Sequence, residues 1–159
     1  MTAESSAEDP LCSDSWAFIG AKEVRYDASL DHYRPAHSTS IGLVILAHMP
    51  EDESERWLDR ALLNAATPHT VTDPRKLRQI LRTGRKAGYV EVRDANVEGA
   101  SGVSAPIFGP DGAVIAGLNL GAPSSRYSQR RVDLVRLVCA EAAHITNALR
   151  STARPATTA

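Results

Sequence analysis

The feature that most constrains this chain is a pair of apolar runs around one short polar break, Gly99 to Arg126, GASGVSAPIFGPDGAVIAGLNLGAPSSR. Ser101 to Phe108 is built mostly of small and β-branched residues. Gly109-Pro110-Asp111-Gly112 is a turn in which Pro presets φ and Gly accepts φ > 0. Ala113 to Leu120 is then almost wholly apolar, the pattern of a strand covered on both faces. Asn119, bracketed by Leu118 and Leu120, is the one large polar side chain in that second strand. An amide placed there either bonds within the protein or faces a cavity.

Around this hairpin the chain supplies helices. Residues 1–14 are small, acidic and proline-broken, the composition of a tail. Ser15 to Ile19 and Glu23 to Ala28 read as short strands around a Gly20-Ala21-Lys22 turn. Ile41 to Met49 is apolar on every side except His48, which predicts a buried helix with Ser38 or Ser40 as N-cap. Pro50 opens a second helix, Glu51 to Ala65, with Trp57, Leu58, Ala61, Leu62 and Ala65 as its apolar face. Thr72-Asp73-Pro74 starts a third, which Gly88 stops after Ala87. Tyr89 to Arg93 alternates as a strand, and Asp94 to Gly99 is a polar loop.

A long last helix runs from Ser128, its N-cap, to about Thr152. Its apolar positions, Val132, Val135, Leu137, Val138, Ala142, Ile145, Ala148 and Leu149, follow three-and-four spacing. Residues 153–159 form a second tail, leaving 15–152 as one domain. Strands in two blocks with helices between and after them predict an α+β fold, a mostly antiparallel sheet with helices packed on its faces.

Charge and composition narrow the function. A net charge of −1 lacks the basic excess of a nucleic-acid binder. Arg75, Lys76, Arg78, Arg82, Arg85 and Lys86 on the third helix read as a solvated face. Arg126, Arg130 and Arg131 open the last helix, where cations oppose its dipole, and point to acids on another subunit. No apolar run approaches the roughly 20 residues of a membrane span, and the acidic N-terminus is not a secretory signal. Cys12 and Cys139 make no metal or redox motif and read as reduced thiols of a cytoplasmic protein. His32, His48, His69 and His144 have no ligand spacing, so neither metal nor cofactor is expected.

Several short motifs carry a resemblance. Pro35-Ala36-His37-Ser38-Thr39-Ser40-Ile41-Gly42 followed by Leu46-Ala47, then Thr70-Val71-Thr72-Asp73-Pro74, resemble segments of the effector-binding domain of the IclR family. Gly88-Tyr89, Val103-Ser104-Ala105-Pro106-Ile107, Asp111-Gly112 and Ala122-Pro123-Ser124-Ser125-Arg126 follow in that family's order. The resemblance spans about Ser15 to Leu149. It implies a GAF-like domain, a curved antiparallel sheet that holds a small effector, commonly a short organic acid or an aromatic. It also implies a homodimer or homotetramer, with DNA contacted only through a helix-turn-helix domain. Position by position, the effector contacts fall on Ser40, Ile41 and Gly42, on Val92, on Gly102, and on Asn119 and Gly121.

Three of those positions depart from the family's habit. Val92 stands where relatives often carry Asp, Gly102 where they often carry Cys, and Asn119-Leu120-Gly121 where a Ser-x-Ser pair is common. Losing those groups predicts a pocket with more space and apolar surface, suited to a bulkier and less acidic ligand than a two- or three-carbon keto acid. A helix-turn-helix reader needs about 60 residues or more, and the stretch before Ser15 is too short for one. The expectation is therefore either a fragment of a regulator or a stand-alone effector domain. In the second case the fold could serve as an enzyme or carrier, with His37 or an acidic loop residue, Asp94, Glu91 or Glu98, as base.

Overall fold

A computed structural model describes residues 34–152. The expected strands Ser15 to Ile19 and Glu23 to Ala28, both tails, Cys12 and His32 lie outside the described residues. A single 3-10 turn at Ala36–Ser38 leads into helices α1 (Ser40–His48), α2 (Glu51–Arg60) and α3 (Pro74–Ala87). Strands β1 (Val90–Arg93), β2 (Ala100–Phe108) and β3 (Val114–Pro123) follow, and α4 (Ser124–Thr152) closes the order. The strands form one antiparallel sheet in the order β1-β2-β3. The architecture is α+β, as the order of elements predicts.

The sheet separates two cores. On one side Leu43, Val44, Leu46 and Ala47 of α1 meet Leu58, Leu77, Leu81 and Val90. On the other, Val103, Ala105 and Ile107 of β2 meet Tyr127, Val138 and Ala142 of α4. Helix α1 is apolar all round because it is sandwiched between the sheet and α3, and Val44 is fully buried. A side chain so buried contributes about 1.5–3 kcal/mol. Gly117 lets α1 lie this close, since a Cβ there would meet Ile41 Cγ1 at 2.9 Å.

Local chemistry accounts for most element ends. Asp73 Oδ1 accepts from Arg75 N–H at 2.8 Å with Pro74 beside it, and Gly88 closes α3 at φ 75°. The hairpin turn holds through Gly109 N–H to Ala113 O at 2.8 Å and Ala113 N–H to Asp111 Oδ1 at 3.1 Å. Asp94 sits at φ 53°, rare for a residue with a Cβ. Its Oδ1 accepts from Gly99 N–H at 2.9 Å and from Ser124 Oγ at 2.6 Å, which ties the loop to the start of α4.

Four expectations are corrected. Thr39, not Ser38 or Ser40, caps α1, with Oγ1 accepting from Gly42 N–H at 3.1 Å. Helix α2 ends at Arg60 rather than Ala65, leaving Leu62 79% exposed. Beyond Arg60 the chain is drawn across the molecule. Asn64 O takes a bond from His37 Nε2 at 3.0 Å, and Thr67 Oγ1 donates to Asp94 O at 2.7 Å. The strand buried on both faces is β2, whereas β3 is half-exposed because it lies at the edge of the described sheet. Helix α4 starts at Ser124 with a break at Arg130 (φ −122°, ψ 17°), and Ser128 Oγ donates to Ser124 O instead of capping. Val132 and Leu137, expected on the apolar face, are exposed.

The cations also have closer partners than expected. Arg78 bridges Glu55 at 2.6 Å and Asp59 at 3.2 Å, and Arg85 donates to the C-terminal carbonyls of α1, Ala47 O and Met49 O. Arg131 pairs with Glu91 of its own chain. Contact with another subunit is not needed to explain that charge.

Candidate functional site

Pleat and register decide which side chains share a face. Val92 pairs with Gly102, Gly102 with Gly121, and Ser104 with Asn119. Residues opposite each other point the same way, so these positions form one patch on the α1 side of the sheet. Ser40, at the first turn of α1, reaches that patch: its Oγ donates to Asn119 Oδ1 at 2.9 Å. Ser104 Oγ lies 2.9 Å from Ser40 Oγ and 3.0 Å from Asn119 Oδ1.

The orientation of Asn119 follows from counting donors. Ser104 is fully buried and Ser40 nearly so, and each hydroxyl has one proton to place. With the amide oxygen inward, both protons reach an acceptor. With the nitrogen inward, the two hydroxyls have only each other, and one proton is left with no acceptor among the described residues. The oxygen therefore faces in, and Nδ2 points outward from an exposed side chain. Two further donors stand beside it. Gly42 N–H is taken by Thr39 Oγ1 and Leu43 N–H by Thr39 O, but Ser40 and Ile41 N–H have no acceptor among the described residues. A helix N-terminus with free amides favours an anionic or carbonyl oxygen.

Each expected residue can now be placed. Ser40, Ile41, Val92, Gly102, Asn119 and Gly121 belong to this patch or its rim. Gly42 belongs to the adjoining turn, because a Cβ there would stand 2.4 Å from Ala36 O. The space expected at Gly102 is already occupied: a Cβ would meet Leu120 O at 3.1 Å, Asn119 Oδ1 at 3.3 Å and Ser40 Oγ at 3.4 Å. Ser104 is the residue that the sequence reading missed. Counting back from the turn pairs it with Asn119, apart from a one-residue irregularity near Phe108.

His37, Asp94 and Glu91 do not form an acid–base set. His37 is committed to Asn64 O, Asp94 to Gly99 and Ser124, and Glu91 lies on the α4 face. There Tyr127 Oη donates to Glu91 Oε1 at 2.6 Å and Arg131 completes the carboxylate. Burial, reinforced by Glu91, pushes the Tyr127 phenol well above its ordinary pKa. Burial also pushes the Cys139 thiol up, the opposite of what a nucleophile needs. Among the described residues no cluster of three or more His, Cys, Asp or Glu could hold a metal, and no helix is long and apolar enough to cross a membrane.

An α+β domain whose sheet face meets a helix N-terminus is the class that this geometry defines. The family model for the bacterial transcriptional regulator IclR C-terminal region matches residues 19–147, and the chain belongs to that family. The HTH-type transcriptional regulator KdgR of Escherichia coli K12 is 30% identical over 137 residues, which are 84% of this chain and 52% of that protein. The crystal structure of a transcriptional regulator from Rhodococcus sp. RHA1 superposes with a TM-score of 0.80 at 25% identity, covering 86% of this chain and 56% of that one. A double mutant of the PobR inducer-binding domain from Acinetobacter, in complex with 3-hydroxybenzoic acid, gives a TM-score of 0.64 at 27% identity over 73% of this chain and 65% of that one. The chain spans about half the length of the curated KdgR relatives, 52% and 44%.

Proposed function

We propose that this chain is the effector-binding part of an IclR-type transcriptional regulator, and that a small organic effector docks on the patch around Asn119. One observation carries the reading. An exposed amide, braced from behind by two serine hydroxyls, presents its nitrogen on the side of the sheet where the N–H groups of Ser40 and Ile41 have no acceptor among the described residues. All three open groups are donors, so a carbonyl or carboxyl oxygen is the complementary feature. Ser40, Ile41, Gly42, Val92, Gly102, Asn119 and Gly121 carry no formal charge. That favours an aromatic or larger aliphatic acid over glyoxylate or pyruvate. The likeness to a domain in complex with 3-hydroxybenzoic acid supports the same class. Assembly as a homodimer or homotetramer, and DNA contact through a helix-turn-helix domain, belong to the same proposal. Output requires the effector to bind two arrangements unequally.

Thermal melting against a panel of small and aromatic acids tests this. A ligand at about a hundred times its Kd adds about 2.7 kcal/mol of stability. Asn119→Leu, at an exposed site, should abolish the shift. A shift that survives this substitution refutes the site, and stabilisation by glyoxylate or pyruvate alone refutes the ligand class.

A further inference from the structure

A cleft of about 350 Å³ opens at the end of α1 away from Ser40, between His48, the β2 residues Ala105, Pro106 and Phe108, and the last turns of α4. It exists because β1 is short. Val90 to Arg93 pair with β2 only as far as Ser104, and the following residues have no strand beside them on that side among the described residues. The backbone there is not awaiting one. Pro106 has no N–H, and Phe108 N–H is taken by Thr146 Oγ1 at 3.1 Å. Small side chains at Ala142 and Ala143 leave the hollow unfilled. Its volume falls in the range of about 300–1,000 Å³ typical of ligand pockets.

Thr146 is committed to Phe108 N–H, but three other side chains on its walls keep polar groups unpaired among the described residues. His48 donates Nδ1–H to Val44 O at 2.9 Å, which fixes the tautomer and leaves Nε2 as an acceptor without a partner among the described residues. Burial holds its imidazole pKa below the ordinary value, so the ring stays neutral at pH 7. The ring also stands edge-on to Phe108, with centroids 5.6 Å apart. Asn147 and Arg150, one helical turn apart, line the same cleft and have no hydrogen bond or ion pair among the described residues.

We infer that this cleft is a second small-molecule site, separate from the patch at Asn119, and that it takes a compact aromatic acid bearing a hydroxyl. The carboxylate meets Arg150 and Asn147, the ring lies against Pro106 and Phe108, and the hydroxyl donates to His48 Nε2. The chemistry asks for both ends of the ligand: a guanidinium selects the anion, and a neutral imidazole acceptor selects the hydroxyl.

4-Hydroxybenzoate titrated into the whole chain, read by NMR at the alanine methyls and histidine ring protons, tests the inference. Saturable shifts at Ala142, Ala143 and His48 are expected. They should persist in Asn119→Leu and weaken about tenfold in Kd in Arg150→Gln, the scale of one charge-assisted contact. Benzoate and phenol, each lacking one end, should bind several-fold more weakly. Absence of shifts at the cleft, their loss in Asn119→Leu, or an unchanged Kd in Arg150→Gln would each overturn it.

Discussion

Gly42→Ala sets two effects of opposite sign against each other. Helix propensity alone favours Ala over Gly in α1 by about 1 kcal/mol. Packing opposes it. The added Cβ would stand 2.4 Å from Ala36 O, 2.5 Å from Ala36 Cα and 2.8 Å from Ala36 C, all backbone atoms. The 3-10 turn must move away by about 1 Å, and overpacking of this kind costs about 1–3 kcal/mol. Moving the turn also strains the Thr39 cap on Gly42 N–H, worth about 1 kcal/mol, and the bonds from His37 to Asn64 and from Ser38 to Asn96, about 1 kcal/mol each. With roughly half of that bonding lost, packing wins by about 2–4 kcal/mol. At roughly 2–4 °C per kcal/mol for a chain of this size, thermal melting should fall by about 5–15 °C. A variant as stable as the parent, or more stable, would show that the turn yields freely and that Gly42 is not there for close approach.

Other substitutions read other parts of the molecule. Tyr127→Phe removes the phenol that donates to Glu91, and urea unfolding should show a loss of about 1.5–3 kcal/mol. Because the folded phenol titrates above its usual value of 10.0, its contribution is fully present below pH 10 and is lost as pH rises from there through the folded pKa. The variant should lack that alkaline slope, and an unchanged slope would place its origin elsewhere. Thr146→Val keeps the shape but strands Phe108 N–H, and should cost about 1–3 kcal/mol in the same assay. His48→Phe should flatten the loss of stability on acidification: the buried imidazole resists protonation, so the loss sets in as pH falls below 6.5 towards the lowered folded pKa.

Much of the fold is written locally. The Gly109 to Gly112 turn, the Asp73-Pro74 start and the Gly88 stop each need only neighbouring residues, and each falls where the sequence puts it. What was illegible depends on distant partners. Leu62 and Ala65 continue the apolar spacing of α2, yet bonds from His37, Thr67 and Thr70 to far segments draw that stretch out of the helix. Periodicity also cannot say which of two apolar strands lies inside. β2 and β3 read alike, and only the sheet order makes one central. For the candidate site, strand parity places Val92, Gly102 and Asn119 on one face, but the contact between Ser40 and Asn119 joins residues 79 apart in the chain. No local pattern announces such a pair.

The two sides of the sheet are not equivalent, and this bears on how the molecule can join others. On the β1 side the edge is four residues long and carries Glu91 and Arg93, and beyond it Pro106 and the occupied Phe108 N–H offer no donor. On the β3 side, ten residues of backbone run along the described edge. Run-away stacking of strands needs two receptive borders on every copy, and among the described residues this sheet has one. A second copy that pairs its β3 with this one uses the receptive border of both, so strand addition of that kind closes at two copies.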